Sequence, residues 1–138
     1  MATGTATVVV GFVPKPEGEA ALVAAIDEVG LRGGRLVIVS AQREDEGDPA
    51  WVARIETLLT SARQRLDDGG IDYAIHQSVT DGEGDAADDL VQTAREHEAT
   101  LIVIGIRRRT ATGKLILGTQ AQRILLDAPC PVLAVKPA

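Results

Sequence analysis

The stretch Leu101–Thr119, LIVIGIRRRTATGKLILGT, decides how this chain is read. It opens with four apolar residues, Leu101 to Ile104, and a glycine, Gly105, the signature of a short strand buried in a parallel sheet. A polar loop follows with three consecutive arginines, Arg107 to Arg109. Gly118 and Thr119 then lead into a helical pattern. A strand thus runs through a cationic loop to a helix N-terminus, where unpaired N–H groups and the helix dipole favour an anion. Loops of this length are uncommon in compact domains and are often functional.

Upstream of this stretch, strands and helices alternate. Thr7–Val10 predicts strand one, ending at Gly11, with a loop Phe12–Lys15. Pro16 suits a first helical turn, and Glu17 and Glu19 suit its positive end. Leu22, Ala25, Ile26 and Val29 recur at helical spacing, and Gly30 is expected to stop the helix before a Gly33-Gly34 turn. Leu36–Ala41 predicts strand two. Asp48 is a good N-cap and Pro49 a good first-turn residue for helix two, whose buried face is Ile55, Leu58, Leu59, Ala62 and Leu66. Trp51 is expected to pack against the sheet edge. Gly69-Gly70 end that helix, and Tyr73–Val79, the most polar strand, is expected at an edge.

Asp85 is a candidate cap for helix three, with Ala87, Leu90, Val91 and Ala94 inward. After strand four, Leu101–Ile104, helix four is expected to turn Ala121, Ile124 and Leu125 to the core. Pro129 and Pro131 stop it, and Val132–Val135 is strand five. The alternation implies one α/β domain over 1–138, a parallel sheet covered by helices on both faces with right-handed crossovers. Ligands in such sheets bind beyond the strand C-termini, where strand order reverses. If strand one lies beside strand four, the loops after Gly11 and Gly105 share that crevice.

Charge is unevenly divided. Residues 1–100 carry 8 basic and 19 acidic side chains, a net −11, whereas residues 101–138 carry 6 and 1, a net +5. The overall −6 argues against non-specific nucleic-acid binding, and the local excess around the loop suits a small anion. Aromatic residues make up 2%, so the core is aliphatic. The first residues carry no basic region, Thr7–Gly11 is too short for a secretion signal, and no apolar run reaches a membrane span. A soluble cytoplasmic protein is expected. Cys130, between Pro129 and Pro131, excludes an internal disulfide framework and reads as a buried, inert thiol.

Gly105–Thr119 resembles the nucleotide-binding signature of the universal stress protein family, G-x-x-G, nine residues, then G-[S/T]. Gly105, Gly118 and Thr119 match it without gaps, and AQRILLDAPCPVLAVKP resembles the family's last helix and strand. The resemblance implies a Rossmann-like fold of the adenine nucleotide alpha hydrolase type, with a five-stranded sheet in the order 3-2-1-4-5. It also implies a homodimer, assigned to strand five because VLAV would be an exposed apolar edge, and ATP with magnesium in the crevice. The implied contacts fall on Ile104, Gly105, Gly118, Thr119 and Gln120, with Gly11, Val13 and Ala41 on the adenine side. Two positions depart from the pattern. Arg108 stands at the second motif glycine, and Val13 stands where an acid is usual. Arginine loses the freedom of glycine but adds a charged fork suited to phosphate, so Arg107 and Arg108 join the candidate site.

Other sites fare worse. Thr112-Gly113-Lys114 lacks the earlier glycine and following hydroxyl of a P-loop. The acids Asp81, Glu83, Asp85, Asp88 and Asp89 lack the glycine and final glutamate of a calcium loop, and no metal site is expected. His76 and His97 read as structural or surface residues. Strand one ends in GFVPK, without the acids of a receiver domain. The expected function is an adenine-nucleotide binding module in stress response or regulation. The alternative is an interaction protein of the same fold whose basic loop meets an acidic partner. Catalysis is not expected, because no general base adjoins the loop in sequence.

Overall fold

A computed structural model of the protein describes residues 6–43, 49–80, 85–106 and 117–137. The elements are β1 (Thr7–Phe12), α1 (Pro16–Arg32), β2 (Arg35–Arg43), α2 (Pro49–Asp68), β3 (Tyr73–Thr80), α3 (Asp85–Glu96), β4 (Leu101–Gly105), α4 (Thr119–Asp127) and β5 (Val132–Val135). All strand pairs are parallel and the sheet order is β3-β2-β1-β4-β5. The most polar strand, β3, is at one edge, and β5 is at the other.

Strand alternation sorts the core into two layers. Val8, Val10 and Phe12 of β1, with Leu36, Ile38, Leu101 and Val103, face α1 and α2. Val9, Val37, Val39, Ile102 and Ile104 face α3 and α4. Burying each such aliphatic side chain contributes roughly 1.5–3 kcal/mol. Exposed ion pairs such as Arg32–Glu28, by contrast, contribute about 0–1 kcal/mol each. The two apolar layers therefore decide the fold.

Three expectations need correction. α1 continues past Gly30 to Arg32 and is capped by Gly33, which takes φ 72° and gives its N–H to the Val29 carbonyl. An interior glycine costs a helix only about 1 kcal/mol, less than the buried contacts of Val29 beside it return. Leu125 is 43% exposed and only Ile124 of α4 is buried. α4 is short and lies at the end of its layer, with only α3 beside it, so its inward face is a single stripe. Cys130 is half-buried at the rim of the second layer, not inside it. Strands are also longer than expected, β1 reaching Phe12 and β2 Arg43. The capping role expected of Asp48 lies outside the described residues.

Gly105 sets how closely α1 approaches β4. A Cβ added there would lie 2.1 Å from the Glu17 carbonyl oxygen and 2.5 Å from its carbon. Those are backbone atoms of the first turn of α1, which cannot rotate away. Gly105→Ala should push α1 from the sheet and lower stability by about 1–3 kcal/mol, the usual cost of overpacking, read as a fall in urea midpoint. At Cys130, burial pushes the thiol pKa up, which disfavours the reactive thiolate. A thiol reagent at pH 8 should therefore label the native protein markedly more slowly than an unstructured cysteine peptide. Equal rates would contradict the packing.

Candidate functional site

The sheet reverses direction of growth between β1 and β4. The next strand after β1 in sequence lies on one side of it, while β4 lies on the other. Val8, Val9 and Val10 pair with Leu101, Ile102 and Val103, so the same register carries Gly11 alongside Ile104. A Cβ on Gly11 would meet Leu90 Cδ2 at 3.1 Å and Ile104 Cγ2 at 3.9 Å. The chain leaves β1 towards α1 and leaves β4 towards α4, on opposite faces. In parallel sheets with this arrangement, ligands bind beyond the strand C-termini at the switch point.

One wall is the end of β2, which overruns β1. β2 remains paired with β3 as far as Arg43–Thr80, but its pairing with β1 stops at Ser40–Phe12. Arg35 gives its N–H to Ala6 on the β1 side, and Leu36 gives its N–H to Asp72 on the β3 side. A parallel strand alternates in this way, so Ala41 and Arg43 turn their backbone groups to the β1 side. The ladder partner for the Ala41 carbonyl would be the amide of position 14, and Pro14 has no N–H. Among the described residues, the end of β2 thus turns to the β1 side an Ala41 carbonyl with no strand partner and, two residues on, the Arg43 N–H.

The other wall is the start of α4. Gly118 is its N-cap, in extended conformation and without a side-chain cap. Leu117 and Ala121 pack on the layer that contains Ile104 and Ile106, which holds this helix end beside β4. Gln120 is already engaged, because its Oε1 accepts the Ala87 N–H at 2.9 Å. That bond satisfies an open amide in the first turn of α3 and ties the two helix starts together. Arg123 and Asp88 extend the tie with an ion pair at 2.5 Å, and Arg95 gives a hydrogen bond to the Asp127 carbonyl at 2.8 Å.

Of the ten candidate residues, Gly11 and Ile104 come together at the switch point. Val13, Ala41, Gly105, Gly118 and Thr119 stand at the ends of the elements around it. Arg107 and Arg108 lie outside the described residues, as do Arg109, Thr112, Gly113, Lys114, Asp81 and Glu83. His76 does have a neighbour, since its Nε2 is 3.4 Å from Asp89 Oδ2. The pair sits at mid-strand on the edge strand, where His76 is in register with Val39, away from the crevice. His97 is exposed just after α3. Among the described residues no three His, Cys, Asp or Glu side chains are grouped to hold a metal, and no helix is long and apolar enough to cross a membrane.

The sequence reading missed Arg54, on α2, which reaches the loop after β1. Its partners are 35 and 40 residues away in sequence, so no local pattern signals the contact.

Comparison with known proteins agrees with this architecture. The sequence model of the universal stress protein family matches residues 5–136. A universal stress protein of Mycolicibacterium smegmatis is 39% identical over 130 residues, spanning 94% of this chain and 97% of that protein. Among solved structures, a universal stress protein from Archaeoglobus fulgidus superposes with a TM-score of 0.72 at 30% identity, over 96% of this chain and 99% of that one. Another from Archaeoglobus fulgidus, solved in complex with dAMP, gives 0.66 at 25% identity, over 96% and 98%. With its sheet order, its switch-point crevice and these matches, the chain belongs to the universal stress protein family.

Proposed function

We propose that the protein is an adenine-nucleotide binding module, with ATP as its ligand, acting in stress response or regulation in the cytoplasm. The observation that carries this reading is the end of β2, which runs on beyond its pairing with β1 next to the switch point between β1 and β4. Adenine offers an amino donor next to a ring-nitrogen acceptor, and the Ala41 carbonyl with the Arg43 N–H is the complementary pair. Gly11, without a side chain, leaves the floor low, and Val13 lines the base side. Phosphates extend towards the first-turn amides of α4 beside Gly118 and Thr119, where the helix dipole favours negative charge. Gly105 and Ile104 form the floor there, and Arg107 and Arg108 supply positive charge. Gln120 contributes by holding the α3 and α4 starts together. A magnesium ion would come with the triphosphate and be held by its oxygens. The relative solved with dAMP supports a nucleotide of this base.

The test is at Arg108, which stands in place of a motif glycine. Calorimetric titration of ATP should show binding by wild type and at least equal binding by Arg108→Gly, which permits close backbone approach. Arg108→Ala should lose about 1–3 kcal/mol, the scale of a charge-assisted hydrogen bond. Wild-type affinity should also fall more steeply with salt than that of Arg108→Gly. No binding by wild type, with binding gained by Arg108→Gly, would instead favour an interaction protein whose basic loop meets an acidic partner.

We also propose that the protein is a homodimer through β5. This strand is a sheet edge, Leu133 on it is 37% exposed, and Leu126 on the neighbouring α4 is 84% exposed. Such an edge with apolar surface beside it invites pairing with a second copy. Light scattering should give a dimer for wild type and a shift towards monomer for Leu133→Lys. A wild-type monomer at tens of micromolar, roughly the micromolar range of a modest interface, would contradict it.

A further inference from the structure

The loop after β1 is held from two directions. Arg54 Nε donates to the Pro14 carbonyl at 3.1 Å, and its Nη2 donates to Glu19 Oε2 at 2.8 Å. Trp51, one turn earlier on the same face of α2, lies beneath Lys15, whose Nζ is 5.9 Å from the ring centroid. The indole N–H is buried without a hydrogen-bond partner, so packing and the cation seat this ring. From the other side, Gly18 of α1 is pressed against the loop. A Cβ there would lie 1.9 Å from the Val13 carbonyl oxygen. Val13 O accepts the Lys15 N–H at 2.8 Å, and Lys15 O accepts the Glu19 N–H at 2.9 Å. Each carbonyl from Val13 to Lys15 therefore has a donor, and the donor to the middle one comes from another helix.

We propose that Arg54 is a positioning residue for the base side of the crevice, fixing Val13–Lys15 from α2 so that the site is formed before ligand arrives. The role rests on the adenine-nucleotide reading above. The Arg54–Glu19 pair is largely exposed, with side-chain exposures of 52% and 38%, and contributes little to global stability. Its effect is local. A loop ordered in advance spares a ligand the cost of ordering it. The guanidinium fork serves a carbonyl and a carboxylate at once, whereas a lysine ammonium on a flexible stem holds them less rigidly.

Calorimetric titration with AMP, on the full chain, separates this role from a general tether between α1 and α2. Arg65 also joins the two helices, through Asp27 at 3.5 Å, but near the far end of α2. Arg54→Ala should weaken AMP binding about tenfold, the scale of one hydrogen bond to a charged group, and Arg54→Lys should not restore it. Arg65→Ala should bind as wild type, and urea midpoints should stay close across the set. In the ligand-free protein, the Lys15 amide should exchange faster in Arg54→Ala, and emission from Trp51, the only tryptophan, should shift. Equal AMP affinity in wild type and Arg54→Ala, unchanged Lys15 exchange, or an equal loss in Arg65→Ala would overturn the positioning role while the nucleotide reading stands. No AMP or ATP binding by wild type would overturn the nucleotide reading and the role with it.

Discussion

β1 has no solvent-facing side. Val8, Val9 and Val10 are fully buried, and Phe12 is 1% exposed, so the strand needs an apolar layer above and below it. A parallel sheet meets that need only if crossovers deliver helices to both faces. α1 and α2 cover one face and α3 and α4 the other. To place helices on both faces, the chain must change its direction of growth beside β1. The same change makes the boundary between β1 and β4 the switch point of the sheet. Site position is thus a consequence of burying β1, before any ligand is considered.

Because burial fixes the sheet, polar contacts are free to set details at its edges. The ties between α3 and α4 run from Gln120–Ala87 through Arg123–Asp88 to Arg95–Asp127. None lies inside the apolar layers, and only the first satisfies a part-buried amide. The first two align the starts of α3 and α4, and the third joins their C-terminal ends. From α2, Arg54 likewise donates to the Pro14 carbonyl in the loop after β1.

Much of this was legible in the sequence. Short continuous apolar runs mark strands one, two, four and five, the more polar Tyr73–Val79 run marks the edge strand, and helical spacing marks the buried faces of α1, α2 and α3. Limits appeared where a signal had two physical meanings. Gly30 and Gly33 both resemble stops, but only the conformation of the chain decides which takes the left-handed turn. Leu125 follows the helical pattern of α4, yet the helix sits at the end of its layer and has nothing to bury that side chain against. Long-range polar contacts carry no local pattern at all. Gln120 is a nucleotide contact only as the family resemblance implies, and nothing near it in sequence indicates that its amide oxygen accepts the Ala87 N–H.

The glycines of the decisive loop show the same ambiguity in its sharpest form. Gly105 is required by the approach of the Glu17 carbonyl, whether or not a phosphate ever binds. Gly118 is the extended N-cap of α4, and glycine is acceptable at any helix start. Both positions match a nucleotide signature, and both are explained by the fold alone. Spacing between them therefore reports the architecture more than the ligand. What distinguishes a binding crevice from a merely similar one lies in groups that the fold leaves unpaired. Among the described residues the Ala41 carbonyl has no strand partner, because position 14 is a proline without an N–H. In the proposed nucleotide reading, that carbonyl carries more weight than the glycine pattern.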